Sequence, residues 1–412
     1  MKNTFLLFVI LLFHLSLFSQ GKRLEDYIQT GIQNSPLLKD YSNQQLANLV
    51  DSLRIIAGYK SQIEGVSVNT YAPTIRGWGY DGAITNGANF SELLKVSRRL
   101  VGRENIGSQN EAIRLLNESL ILSGKVTELD LKKSITTQYI TAYGNWQQFQ
   151  FNNELLSLLK KEESILKSLA EKGVYRQTDY LSFIVTIHQQ ELLISQVRMQ
   201  FNNEFATLNY LCGIKDTSAT ALAEPLLDPI NITEAENTVF YHQYQVDSLK
   251  FRNNDAQIEY SYKPKVDLYA DGGYLSSLNY QAYKNFGISA GVTVTVPIYD
   301  GGQKKMQHDK IAIAEQTRQS YRDFFKKQYD QQVAQLSQQL LSTQQLIMQA
   351  SGQIRFTEAL MDANRKLLET GDVRMADYIL AISNYLTAKN IVIQNTVNKL
   401  QLINQINYWN RK

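Results

Sequence analysis

"EKGVYRQTDY", residues 171–180, returns 198 positions later as "ETGDVRMADY", residues 369–378, so the pattern E-x-G-x-x-R-x-x-D-Y stands twice in one chain. A second pair, "YKSQIEGVSVNTY" at 59–71 and "YKPKVDLYADGGY" at 262–274, lies at an offset of 203. Two similar offsets mean one repeat of about 200 residues with a small length change inside it. The expected organisation is a first repeat at 21–214, a turn-rich linker "KDTSATALAEPLLDPINIT" at 215–233, and a second repeat at 234–412. Pseudo-symmetry between the halves follows.

Each copy of the pattern sits between helical runs. Residues 303–369 contain no Pro and one Gly, Gly352, and are rich in Gln, Lys, Ala and Leu; residues 104–170 match them in length. At about 1.5 Å per residue, each run spells a rod of about 100 Å. Shorter Pro-free runs follow at 179–212 and 377–409. Gly173 and Gly371 suit the left-handed position just past a helix C-terminus. Asp179 and Asp377 suit the start of the next helix, where an acid meets exposed amides and the positive end of the dipole. Each copy therefore reads as the tip of a helical hairpin, 171–180 and 369–378. The descending helices are half the length of the ascending ones, so each needs a second short helix, for which 236–262 and 23–61 are candidates.

Strands come next. In 265–280, Val266, Leu268, Ala270, Gly272 and Tyr274 alternate with Lys265, Asp267, Tyr269 and Asp271; in 286–298 every second residue from Phe286 to Ile298 is apolar or Ala. Period two means strand. The first half offers 63–75 and 89–101, joined by "RGWGYDGAITNG", with Glu92 and Arg98 interrupting the apolar face of the second strand. Strands of about 9–13 residues are long enough to cross a membrane in a tilted barrel. A soluble sandwich with one face on a core reads the same way. Four strands cannot close a membrane-spanning barrel, so the barrel reading requires other subunits.

Composition narrows the classes. The 42 Lys+Arg and 39 Asp+Glu leave a net charge of +3, which does not mark a nucleic-acid binder. "MKNTFLLFVILLFHLSLFSQG" has the layout of a secretory signal peptide over 1–20, its apolar run of roughly 14 residues being short of the about 20 that a spanning helix needs. The single Cys, Cys212, can form no internal disulfide and reads as a small buried apolar residue. Past the signal no stretch has the length and apolarity of a transmembrane helix. An enzyme is not expected: His188, His242 and His308 are scattered on helices without zinc-ligand spacing, and neither a phosphate loop nor a nucleophile elbow is present. No cofactor or metal is expected.

The order signal, helix, strand pair, long helix, G-x5-D tip, helix, given twice, resembles the TolC-type outer-membrane efflux proteins. "VTVTVPIYDGGQKK" at 292–305 resembles that family's strand-to-helix passage, whereas the first-half "VSRRLVGREN" at 96–105 lacks the Pro and the Gly-Gly pair. The resemblance implies an α+β fold made mainly of long α-helices in two tandem repeats, each a β-hairpin plus a long helical hairpin. It implies a homotrimer whose strands close a 12-stranded barrel in outer-membrane lipid above a helical periplasmic tunnel. Partners would be a periplasmic adaptor (membrane fusion) protein and an inner-membrane transporter, with no nucleic acid. The function implied is the exit channel of a tripartite efflux or type I secretion system. Gly173, Arg176, Asp179, Gly371, Arg374 and Asp377 would then lie at the periplasmic mouth, the first five for adaptor docking and Asp377 as a gate. Studied members carry a second acid and a basic residue where this chain has Leu380 and Val373, so a single carboxylate ring from Asp377 is the expectation here.

Two alternatives stand beside this. Arg374 and Asp377 can be helix-end capping residues only, and the whole chain can be a soluble periplasmic helical adaptor or scaffold whose strands form a soluble module. Trp78, Tyr80, Tyr280, Tyr283 and Tyr299 near the strand ends fit an interfacial girdle, or equally core or loop aromatics.

Overall fold

The computed structural model describes residues 22–81, 88–277 and 281–411. The expected signal segment 1–20, residues 82–87 of the first-half loop, and Tyr280 lie outside the described residues. The chain is mostly helical with one small antiparallel sheet. In order it runs α1 (Leu24–Asn34), α2 (Pro36–Gly58), β1 (Gln62–Tyr71), β2 (Ala88–Leu100), α3 (Arg103–Glu171), α4 (Gln177–Leu211), α5 (Val239–Ser261), β3 (Lys265–Ser276), β4 (Phe286–Thr295), α6 (Gln303–Thr370) and α7 (Met375–Trp409). Among the described residues no helix is long and apolar enough to cross a membrane.

Three strands stop short of the sequence-based ends, and in two of them a proline is close by. Strand 63–75 ends at Tyr71 and strand 286–298 at Thr295. Pro73 and Pro297 follow within two residues, and proline has no N–H to give the ladder. Past Pro73, Ile75 pairs only with Trp78 in an isolated bridge. Strand 265–280 ends at Ser276, with residues 278–280 outside the described residues. The fourth, expected at 89–101, runs one residue earlier at each end.

The chain divides into two compact units. One gathers residues 40–123 and 240–324. Its sheet has the order β1-β2-β3-β4, all antiparallel. β2 and β3, from opposite halves of the sequence, are paired from Phe90↔Ser276 to Leu100↔Val266, which joins the two hairpins into one sheet. The register puts Ile63, Leu94, Val96, Ala270, Leu268, Ile288, Val292 and Val294 on one face. The other face carries Glu64, Lys95, Arg99, Asp267, Asp271, Ser289 and Thr293. Glu92 does fall on the apolar face, where its Oε1 accepts hydrogen bonds from Ser67 Oγ and Asn69 Nδ2, each at 2.8 Å. On the polar face Arg99 Nε donates to Asp267 Oδ1 at 2.8 Å. The strands pack closely enough at Gly273, φ +157°, that a Cβ there would lie 2.1 Å from the Glu92 carbonyl oxygen. Only glycine fits that crossing.

That sheet has no core of its own. β1 and β4 are exposed along almost their whole length, Ile288 to 92% and Ile63 to 68%. Trp78, Tyr80, Tyr283 and Tyr299 are exposed as well, which removes the core reading for those four aromatics. In the same unit, α2 is tied to α3 by neutral groups: Asn48 Nδ2 donates to Asn117 Oδ1 at 2.9 Å and Ser52 Oγ to Asn110 Oδ1 at 2.7 Å.

The other unit gathers residues up to 39, 124–239 and 325 onward. Here the apolar faces of the helices do find cover. Tyr27 of α1 meets Tyr139 of α3 and Phe205 of α4 edge-on at 5.8 and 6.4 Å, with Leu24, Ile135, Leu208 and Cys212 buried around them. Burial pushes the Cys212 thiol up to about 11, the behaviour of a structural rather than a reactive cysteine. The segment 215–233 is extended and is strapped down by side chains. The Tyr139 hydroxyl lies 2.8 Å from the Lys22 carbonyl and 2.7 Å from that of Ala223. Asn209 and Asn407 each donate to a backbone carbonyl of this segment, of Asp216 at 2.5 Å and of Asp228 at 2.9 Å. Buried polar groups of an irregular segment need such partners.

Candidate functional site: the paired tips

Both tips are built by the same local device. At the end of α3 the Gly173 N–H donates to Ala170 O at 3.0 Å and the Val174 N–H to Leu169 O at 2.9 Å. At the end of α6 the Gly371 N–H donates to Leu368 O at 3.3 Å and the Asp372 N–H to Leu367 O at 2.9 Å. These are paired 5→2 and 6→1 bonds of a Schellman turn, and they require the left-handed φ of +79° at Gly173 and +82° at Gly371. The chain then turns once and re-enters helix with Arg176 and Arg374 in extended conformation at the N-caps.

Asp179 and Asp377 are each the third residue of the following helix, where an acid faces the exposed amides of the first turn. The Asp179 carboxylate accepts a hydrogen bond from the Arg176 N–H at 3.2 Å, so in the first tip the acid does close a cap. Asp377 is exposed. Arg176 and Arg374 are exposed too, and Leu380, the position where the resembled family carries its second acid, is an exposed apolar residue.

The structure brings the two tips against each other. A Cβ on Gly371 would stand 2.5 Å from Val174 Cγ1, so the first tip's valine rests on the second tip's glycine. The Tyr175 hydroxyl donates to the Val373 carbonyl at 3.0 Å, with the Leu368 carbonyl at 3.4 Å. Burial raises the Tyr175 pKa against the lowering effect of the Val373 bond, so the hydroxyl stays protonated and donating. Behind this contact Leu159, Leu166, Phe183, Met375, Leu368 and Tyr378 form a buried cluster, with the Phe183 and Tyr378 rings stacked at 6.2 Å.

A polar group is buried in the same cluster. Glu162 of α3 is 4.0 Å from Arg365 of α6, and burial holds the Glu162 carboxyl above the usual carboxylate range despite that guanidinium. Glu162 Oε2, Arg365 Nε and the Tyr378 hydroxyl are buried without a hydrogen-bond partner among the described residues. Sequence reasoning missed Val174, Tyr175, Glu162 and Arg365. The tenth position of the pattern was its one further hint, and there the copies diverge: Tyr378 is fully buried while Tyr180 is half-buried.

Among the described residues no group of three His, Cys, Asp or Glu is placed to hold a metal ion. The tips present exposed arginines and acids over the buried apolar cluster.

The fold is that of outer-membrane channel proteins. CusC, known from structures that follow its folding and transmembrane channel formation, matches with a TM-score of 0.77 at 13% identity, over 95% of this chain and 93% of its own. VceC, an outer-membrane protein of Vibrio cholerae, matches with a TM-score of 0.76 at 12% identity, over 94% of this chain and 96% of its own. The CmeC outer-membrane channel of Campylobacter jejuni matches with a TM-score of 0.73 at 11% identity, over 94% and 85%. No family model and no curated protein sequence matches the chain.

Proposed function

We propose that this chain is an outer-membrane channel, the exit duct of a tripartite efflux or type I secretion system that passes small molecules or proteins to the exterior. One observation carries the reading: a four-stranded sheet whose β3 and β4 present one apolar face, and whose outer strands β1 and β4 are exposed and each have an edge unpaired among the described residues. In water such a sheet is an aggregation hazard. In a bilayer the apolar face is a solvated face, and closure with further copies satisfies both edges. Three copies would give a 12-stranded barrel, and the polar face, with Glu64, Lys95, Asp271 and Thr293, would line its wet interior. The likeness to CusC and VceC in fold supports this reading.

On the same reading the chain is two tandem repeats, 21–214 and 234–412, about the linker 215–233, preceded by a cleaved signal. The tips lie at the periplasmic mouth. Gly173, Arg176, Asp179, Gly371 and Arg374 form the surface that meets a periplasmic adaptor, itself bound to an inner-membrane transporter. Asp377 of three chains forms one carboxylate ring that attracts cations and resists closer approach by mutual repulsion.

The test is fractionation of the expressed full-length protein, detergent extraction and a mass measurement on the extracted particle. Recovery from outer membranes as a trimer is the expected result. Recovery from the periplasm as a soluble monomer or dimer would leave the soluble scaffold reading in its place.

A further inference from the structure

We propose that His308 is a pH-operated fastener between α5 and α6 at the base of the β3–β4 hairpin, closed when the imidazole is charged and loosened when it is neutral. The geometry of the ring carries this. His308 Nδ1 is 2.5 Å from Asp255 Oδ1 and Nε2 is 3.0 Å from Glu259 Oε1, so both ring nitrogens face carboxylate oxygens. A neutral imidazole has one N–H and can satisfy one of them; the other nitrogen would set its lone pair against an anion. Only the imidazolium donates to both. Asp255 and Glu259 are four residues apart on α5, hence neighbours on one face, and the ring spans them from α6.

The two carboxylates hold the charge on the ring. Asp255, ahead of Glu259, raises the His308 pKa above its ordinary value. On its own helix, Lys304 one turn back donates to the second oxygen of Glu259 at 2.8 Å, so the carboxylate is shared by two cations and kept ionised. Because the folded value lies above the unfolded value of about 6.5, the contact contributes fully below pH about 6.5 and is lost as pH rises through the folded value. The base of the first hairpin has no such group: α2 and α3 are joined there by the uncharged pairs Asn48–Asn117 and Ser52–Asn110. His188 and His242 each touch a single side chain of their own helix, three residues on. Among the histidines of the described residues, only His308 is clamped between two carboxylates.

The place gives the fastener its consequence. α5 ends at Ser261 and β3 begins at Lys265; β4 ends at Thr295 and α6 begins at Gln303. Loosening His308 therefore weakens the tie between the two helical stems of one hairpin next to the sheet, where Lys304 still holds Glu259 and Asn253 still holds Ser108 of α3, and leaves the other hairpin's stems as they were.

The test is hydrogen exchange on the purified full-length protein at about pH 5.5 and about pH 8.5, corrected for intrinsic exchange, with His308→Gln and Asp255→Asn beside the wild type. Wild-type peptides covering 250–261 and 303–312 should lose protection severalfold at the higher pH, while peptides covering 48–58 and 108–117 hold theirs. His308→Gln should give equal protection at both pH values, and Asp255→Asn should move the midpoint of the loss downward. A wild-type protein with no loss overturns the proposal, as does an equal loss in His308→Gln, an unmoved midpoint in Asp255→Asn, or loss of the same size at the first hairpin. The readout is local to α5 and α6, so a soluble protein would be judged by the same outcomes and failure of the channel reading would be seen separately.

Discussion

Gly173 and Gly371 hold the same backbone conformation in different surroundings. Both have the left-handed φ that an alanine adopts at a cost of about 1–2 kcal/mol. Nothing lies within 4 Å of a Cβ added at Gly173, whereas one at Gly371 would stand 2.5 Å from Val174 Cγ1. Gly173→Ala should therefore lower the thermal midpoint by the backbone penalty alone, and Gly371→Ala by visibly more. Adding Val174→Ala to Gly371→Ala should bring the two variants level; equal losses from the start would mean that Val174 yields without cost. The glycines were legible in sequence because a helix end is a local event, written in a few adjacent residues. The hand of Val174 and Tyr175 on the second tip was not, since it joins residues far apart in the chain. The buried Glu162, facing a half-buried Arg365, was hidden for a related reason. A charged residue on a polar helix reads as solvated, and only packing reveals that it is not.

At the scale of elements, length came through well and fastening did not. A run without Pro and with favourable helix formers fixes a helix of nearly the observed extent, 104–170 against Arg103–Glu171, because each residue votes independently. What ties the extended segment 215–233 to the helices is a handful of side chains reaching across, and Tyr139 is the clearest. Its hydroxyl serves carbonyls of Lys22 and Ala223 from a ring that is fully buried. Tyr139→Phe takes the hydroxyl away from these part-buried carbonyls, of which that of Lys22 keeps the Ala223 N–H at 3.3 Å, a loss of about 0.5–1.5 kcal/mol. The expected result is a lower thermal midpoint together with faster proteolytic nicking within 215–233. Unchanged nicking would assign the hold to Asn209 and Asn407 instead. His308 is another such case: from sequence it was one of three scattered histidines, and its two carboxylates lie on a different helix.

For the molecule as a whole, the alternation that announced strands also announced which face would be greasy, because a strand's side chains follow period two wherever it is placed. The pairing of β2 with β3 was beyond reach of that logic. Hairpins are neighbours in sequence, while this register links strands separated by α3, α4 and α5. The two faces make opposite demands that can be measured side by side. Val292 lies on the apolar face and Thr293 on the polar one. If the apolar face meets lipid, Val292→Arg costs about 2–4 kcal/mol near the bilayer centre, and recovery of the protein from membranes should fall sharply. Thr293→Arg should be recovered like the wild type. Equal recovery of both would remove lipid from the apolar face.

The uneven distribution of buried apolar surface has a calorimetric consequence. The helical unit conceals large side chains such as Tyr27, Phe183, Phe205 and Leu208, whereas Ile63, Ile288 and Val292 of the sheet are already open in the single chain. The heat capacity gained on unfolding measures apolar surface newly wetted. In a lone chain in water, the helical unit would supply nearly all of that increment and melting of the sheet would add little to it. The sheet's share would emerge only when its apolar face is first covered by something other than water.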